Sequence, residues 1–294
     1  ISVIVCTYNR EEYLHICLKS FLEQETMEGS FEILVIDNNS TDGTKSVVDG
    51  LISRCDHVRY FLEEKIGLSH ARNRGFKEAQ GDVVVYVDDD VEAPRDYITQ
   101  VVKGFENPSI NIIGGKTVPI FEEEPPKWLS KWLLPLYAQI DKGEGVKLME
   151  GKFFPVGANM MFRKEIVDWS PVFNPELGRK GVSLEASEEK DFFYKLRKRG
   201  EKAFYSSHCT LNHLIPSKRL TLSYVKAQGI GLGKSEVNRA KSQNRLGEKY
   251  LSELFKWGST LVLFLGYLFL LEYQKGNALM KFRYWVLKGM LSEL

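Results

Sequence analysis

Residues 82–90 read Asp-Val-Val-Val-Tyr-Val-Asp-Asp-Asp, an apolar run that ends on three consecutive carboxylates. Val83 to Val87 shows no polar alternation, which is how a strand covered on both faces reads. Asp88, Asp89 and Asp90 repel one another, and that repulsion raises their pKa values. A hard divalent cation removes the cost and prefers oxygen ligands. At the carboxyl end of a strand it would lie where open α/β sheets bind their ligands. A metal-diphosphate site is therefore the first expectation. The competing one is a solvated acidic turn that caps the next helix.

Outward from this strand, the first 105 residues alternate apolar runs with helical spacing. Ile1 to Cys6, Phe31 to Ile36 and Val58 to Leu62 are the other strand candidates. Tyr13, Ile16, Cys17, Phe21 and Leu22 recur at helical spacing after the first of these. Thr41 or Ser40 is expected to cap a helix starting near Asp42. Gly67 to Ala79 is expected as a helix carrying Arg72. Strands alternating with helices predict an α/β fold with a mostly parallel sheet flanked by helices. Beyond Asn107 the rhythm changes. Ile112 to Pro119 and Phe204 to His213 read as strands, and Glu185 to Arg199 as a helix closed by Gly200. After Leu220 the chain reads mostly as helix. The expected division is a catalytic domain over 1–220, with halves 1–105 and 106–220, and a helical extension over 221–294.

The composition restricts the function classes. The chain has 294 residues, with Lys+Arg 40 against Asp+Glu 39, so charge gives no argument for nucleic acid. Its four cysteines, Cys6, Cys17, Cys55 and Cys209, have no metal or disulfide spacing and read as reduced thiols. No basic-then-apolar leader opens the sequence, so a cytoplasmic location is expected.

Three strand ends carry polar residues: Thr7-Tyr8-Asn9, Asp37-Asn38-Asn39-Ser40 and Asp88-Asp89-Asp90. In a parallel sheet these gather along one edge, a crevice suited to a nucleotide. Asp37 suits a base or ribose, or else an N-cap. Arg72 suits a base or phosphate, or else a surface ion pair.

These segments, in order, resemble family 2 glycosyltransferases of the GT-A fold. The resemblance rests on Ile1 to Arg10, Val35 to Thr44, Ala71-Arg72-Asn73-Arg74-Gly75, Asp88-Asp89-Asp90 and Ser187 to Leu196, and it covers roughly residues 1–230. It implies a Rossmann-like catalytic domain that binds a nucleotide-diphosphate sugar, with uridine as the default base. Thr7, Tyr8, Asn9, Asp37, Arg72, Asp88 and Asp89 fall on nucleotide-sugar positions. Asp90 falls on the metal-contacting position, with Asp88 and His213 completing the shell around Mn²⁺ or Mg²⁺. Tyr205 and His213 fit the family's Tyr…His pattern; a lone His is otherwise structural.

Glu189 falls on the position of the catalytic base, where the family usually has Asp, and Glu188 is the fallback. Without the resemblance, both read as acids that complement the helix dipole. Gly157-Ala158-Asn159 matches a glycine-containing acceptor loop. Arg179 and Lys180, in the stretch from Phe173 to Gly181, suit phosphate or solvent. The implied reaction is an inverting, single-displacement transfer to a hydroxyl of a glycan or lipid-linked acceptor, in cell-surface polysaccharide or glycan biosynthesis.

Two other readings compete. A sugar-nucleotide nucleotidyltransferase would carry a Gly-rich basic loop after the first strand, where this chain has Thr7-Tyr8-Asn9-Arg10. A non-catalytic binding module would not need the intact acids.

The last segment bears on partners. Trp257 to Leu271 contains no charged residue, and the following Lys281 to Lys288 is basic and aromatic by turns. The uncharged run is short for a spanning helix, which needs roughly 17–25 apolar residues. Peripheral contact with the inner face of the plasma membrane through 254–290 is expected, with Trp128 to Leu134 as a second patch. The alternative is a helical hairpin packed on protein, and the sequence allows a homo-oligomer.

Overall fold

The computed structural model describes residues 1–25, 31–52, 55–151, 153–178, 188–242 and 244–293. These divide into two compact units. One holds residues 1–120, 138–178 and 188–214, and the other 121–137 and 215–293.

The first unit is built on a sheet. Strands β1 (Ser2–Thr7), β2 (Glu32–Asp37), β3 (Val58–Leu62) and β4 (Val83–Asp88) alternate with helices α1 (Glu11–Leu22), α2 (Thr44–Ile52) and α3 (Leu68–Glu78). The spatial order β3-β2-β1-β4 is parallel throughout. Residues of β1 and β4 alternate between faces, as the pleat requires. Val3, Val5, Val85 and Val87 join Leu14, Leu18 and Phe21 of α1 on one face. Ile4, Leu34, Val84 and Tyr86 join Ala71 of α3 on the other. Both faces are covered, which is why these strands show no polar alternation.

The register sets the strand ends level. Thr7 pairs with Asp37, and Cys6 with Asp88. The chain leaves β1 for β2 on one side, and β4 lies on the other. That reversal opens a crevice at the carboxyl ends.

The rest of the sheet is antiparallel where its register is defined. β5 (Val91–Glu92), β6 (Ile112–Phe121), β7 (Val146–Leu148), β8 (Asn159–Arg163) and β9 (Ala203–Ile215) extend it in the order β4-β8-β6-β9-β5, with β7 on β9. Two further helices, α4 (Tyr97–Gly104) and α5 (Glu188–Lys198), cover it. The short β5 and β7 give no sequence signal.

One expected cap is corrected. Asp42 takes the amide of Thr44 at 3.1 Å and caps α2. Ser40 and Thr41 instead bind Asn9, which makes them part of the β1–β2 edge.

The second unit is helical: α6 (Leu222–Ser242), α7 (Leu246–Phe269) and α8 (Tyr273–Leu291). Its core joins Val225, Val237, Leu279, Phe282 and Val286 to Leu133, with Trp128 and Leu129 packed against it. The helices α6 and α8 touch backbone to backbone. A Cβ at Gly233 would overlap the Val286 carbonyl, and one at Gly289 the Ile230 carbonyl. The helices α7 and α8 form an antiparallel hairpin tied by Arg283 on Glu253 at 2.9 Å and by the Tyr250 hydroxyl on the Met290 carbonyl.

Candidate active site

The strand β4 delivers Asp88 at its last position, and the turn that follows holds Asp89 and Asp90. Pairing of β5 with β9 sets Val91 opposite His213, and the Leu214 amide donates to the Asp90 carbonyl at 2.8 Å. His213 Nε2 lies 3.1 Å from Asp90 Oδ1 and 3.8 Å from Asp88 Oδ2. One ligand atom from each of Asp88, Asp90 and His213 lies within 4.8 Å of the others. Asp90 and His213 are buried and Asp88 is half-buried.

Burial opposes a charge on His213, but the Asp90 and Asp88 carboxylates outweigh it and lift the ring to about 9. Burial pushes Asp88 up, yet its bond to His213 holds it below the ordinary range. Two hard carboxylates and an imidazole, converged and buried, make a donor set that fits a divalent cation.

Asp89 points elsewhere. Its Oδ2 accepts from the Thr7 hydroxyl at 2.7 Å. Burial, then the Asp90 charge, push its carboxyl up to about 7 against the pull of Arg10. Arg10 bonds Asp90 Oδ2 and sets its Nε 3.6 Å from Asp89 Oδ1, with its guanidinium over the Tyr13 ring. The sequence reading gave Arg10 no role. The available signal was a cation directly after a polar strand end, facing an acidic one.

Asp37 is buried. It accepts from Tyr60 Oη at 2.8 Å and from the Ser40 amide at 2.8 Å, so it shapes its own turn. Asn9, at φ 53°, accepts from the Thr41 amide at 2.7 Å. Tyr8 is half-buried beside it. Asn38 ties the Glu63 and Lys65 carbonyls to the Gly67 amide and so fixes the start of α3.

A second acidic centre comes from α5. Glu188 is buried, and Arg72 of α3 meets its Oε1 at 2.5 Å. Glu189 Oε2 lies 3.8 Å from the same guanidinium, beyond hydrogen-bond reach, and is buried without a hydrogen-bond partner among the described residues. Burial, then the Glu188 charge, push the Glu189 carboxyl up to about 7, with Arg72 pulling the other way. The arginine thus faces the α5 acids.

The neighbours leave Arg72 little freedom. A Cβ on Gly157 would overlap its Nη2. Ser69 and Asn73, on the same helix, bond the Leu177 and Phe173 carbonyls and hold the 173–177 segment.

Ala158 and Asn159 are buried at the start of β8. The Asn159 amide donates to the Lys116 and Cys209 carbonyls, and its oxygen accepts from Tyr97 at 2.7 Å. Its side chain therefore serves the sheet. Tyr205 lies up β9, opposite Lys147 of β7. Arg179 falls outside the described residues.

Comparisons with known proteins agree with this architecture. The family model described as glycosyl transferase family 2 matches residues 2–169. A glucosyl-dolichyl phosphate glucuronosyltransferase of Haloferax volcanii is 27% identical over 240 residues, covering 80% of this chain and 76% of that protein. A GalNAc(5)-diNAcBac-PP-undecaprenol beta-1,3-glucosyltransferase of Campylobacter jejuni is 27% identical over 259 residues, covering 85% and 80%. Among solved structures, the mannosyltransferase PcManGT of Pyrobaculum calidifontis, in complex with GDP-Man and Mn²⁺, aligns with a TM-score of 0.68 at 16% identity, covering 99% of this chain and 86% of that one. The match spans the parallel strands, the crevice and the acidic turn, and with it the chain is placed as a sugar-transferring enzyme with the GT-A fold, a member of glycosyl transferase family 2.

Proposed function

We propose that this enzyme moves a sugar from a nucleoside-diphosphate donor to a hydroxyl of a lipid-linked or polysaccharide acceptor, with inversion, at the cytoplasmic face of a membrane. The observation that carries the reading is Glu189. It offers a buried carboxylate oxygen with no hydrogen-bond partner among the described residues, on a carboxyl pushed up to about 7. A general base is most effective when its pKa lies near the working pH. Glu188 is less suited, because its carboxylate is committed to Arg72.

In this mechanism Glu189 takes the proton of the acceptor hydroxyl as that oxygen attacks the anomeric carbon. Thr7, Tyr8, Asn9, Asp37 and Asp89 line the crevice for the nucleotide. Asp88, Asp90 and His213 would hold Mn²⁺ or Mg²⁺, which supplies Lewis-acid stabilisation to the leaving diphosphate. Arg10 fixes the unshared oxygen of Asp90 and leaves Oδ1 toward His213. Arg72 pairs with Glu188 and stands 3.8 Å from Glu189, so it sets the position of both acids. Gly157 keeps room for that arginine.

The relatives support a lipid-linked acceptor, since the names of two of them carry a dolichyl phosphate and an undecaprenyl diphosphate. The donor base is read as uridine by family resemblance alone.

The test is release of nucleoside diphosphate from a panel of sugar nucleotides, with and without Mn²⁺, in wild type, Asp90→Asn and Glu189→Gln. The expected result is metal-dependent release that both variants lose, with donor binding kept in Glu189→Gln. Wild-type turnover in either variant removes that residue from the mechanism.

A further inference from the structure

The helix α7 carries an outer face that none of the described residues of its own unit covers. Leu254, Phe255, Leu261, Val262, Leu265 and Leu268 are exposed at helical spacing along it. Between 257 and 271 the only exposed polar side chain among the described residues is Ser259, whose hydroxyl already bonds the Phe255 carbonyl, while the Lys256 side chain is exposed at the start of the stripe.

At the end of the α7–α8 hairpin the pattern changes from a stripe to a cap. Phe269, Leu270 and Leu271 are 88%, 63% and 90% exposed, and Tyr273 follows at 58%. Consecutive residues near a helix end point about 100° apart. One rigid protein face cannot cover all of them, whereas a fluid apolar phase can.

Charge decides the occupant. The hairpin from Leu246 to Leu291 holds six cations against three acids in a chain of net charge +1; Glu253 and Glu272 pair with Lys256, Arg283 and Lys275, and Lys281 and Lys288 stand exposed on α8. A second copy of this hairpin would bring the same positive charge and be repelled. An anionic lipid surface would be attracted. On α8, Lys281, Tyr284 and Lys288 share one exposed stripe, the aromatic-and-basic pattern of an interfacial helix. No described helix is long and apolar enough to cross a membrane.

We infer that the α7–α8 hairpin docks on an anionic lipid leaflet, with Phe269, Leu270 and Leu271 entering the acyl region and the α8 cations held at the headgroups. This deepens the proposed membrane-face setting and rests on it for biological purpose. Its physical basis is independent of the transfer chemistry.

The test is flotation of the full chain with vesicles of phosphatidylcholine containing about 30% phosphatidylglycerol. The wild type is expected to float. Phe269→Asp combined with Leu271→Asp should lower the partition by at least about tenfold, since each apolar side chain leaving water is worth roughly that factor. Both side chains are almost fully exposed, so the fold is not at risk. Val102→Asp, an exposed apolar position on α4, should float as the wild type does. A wild type that stays at the bottom, or a double variant that floats equally well, overturns the inference. So does a wild-type dimer by light scattering that the double variant breaks. Diphosphate release with a water-soluble acceptor is measured alongside. Its survival in the double variant separates a failure of docking from a failure of the transferase reading.

Discussion

Replacing Glu189 by Gln removes both a proposed chemical function and a structural cost, and the two have opposite signs. Burial and the Glu188 charge raise the Glu189 carboxyl from the ordinary 4.5 to about 7. Each unit is worth about 1.4 kcal/mol, so the ionised side chain costs the folded state about 3 kcal/mol. The side chain is only 14% exposed, and solvent screens little of this.

The sign follows from proton counts. The unfolded chain loses this proton near pH 4.5 and the folded one near pH 7. Between those values the folded state holds more protons, so stability falls as pH rises, and the loss is complete above the folded value. Gln carries no charge at any pH. The Glu189→Gln variant should therefore gain under about 1 kcal/mol at pH 5 and about 3 kcal/mol at pH 8. In a unit of this size, that gain at pH 8 raises Tm by roughly 6–12 °C. Turnover should fall by about 10²–10⁴-fold, the usual worth of a positioned base. The assay is urea unfolding at the two pH values, beside diphosphate release. Titrating groups remote from Glu189 are common to both proteins and cancel in the difference; Glu188, whose charge helps raise Glu189, is the one neighbour whose contribution changes with it. An equal stability change at both pH values refutes the raised pKa, and a less stable variant at pH 8 refutes the burial argument.

Four further outcomes are expected. Asp90→Asn should weaken Mn²⁺ binding, titrated by electron paramagnetic resonance, by at least the ~10–100-fold that even a supporting partner costs; unchanged affinity would move the metal elsewhere. Arg10→Met leaves Asp89 and Asp90 without their guanidinium and should destabilise the protein by about 3 kcal/mol, with saturating Mn²⁺ restoring more Tm than it adds to the wild type. Gly157→Ala drives a methyl into Arg72 and should lower both Tm and turnover, with turnover rescued by no added metal. Gly289→Ala forces α8 off the Ile230 carbonyl and should destabilise the helical unit by roughly 1–3 kcal/mol in urea, with donor affinity unchanged.

The legible part of this chain was the part with short-range signals. The strands β1 to β4 read directly because both faces are buried and their ends are polar. Level strand ends follow from parallel pairing, so the gathering of Thr7, Asp37 and Asp88 at one edge was also readable. The partners within the site were not. Arg72 and Glu188 are 116 residues apart, and nothing local to either announces the other. The same holds for the register of His213, which depends on a two-residue strand, Val91–Glu92, too short to leave a pattern. Asn159 looked like part of a ligand loop because Gly157 precedes it. Its side chain is spent on β6, β9 and α4, and the glycine makes room for Arg72. Residue type at a strand end shows what chemistry is available, but not which groups are already bonded.

That distinction also separates two carboxyls that look equivalent. Asp89 and Glu189 are both pushed up to about 7, both chiefly by burial and then by a neighbouring acid, and each has an arginine close by. A raised pKa alone would nominate either as a base. Their hydrogen bonds differ. Asp89 Oδ2 takes the Thr7 hydroxyl at 2.7 Å, and its Oδ1 faces Arg10. A proton arriving there would have to displace bonds that hold β1 to the acidic turn. Among the described residues Glu189 Oε2 has no donor, and the Arg72 guanidinium stands 3.8 Å away. A proton arriving there displaces none of the hydrogen bonds of those residues. Burying such an oxygen without a donor costs stability, and folds keep a cost of this kind where it serves a reaction. The free lone pair, more than the pKa, is therefore the reason to assign the acceptor's proton to Glu189.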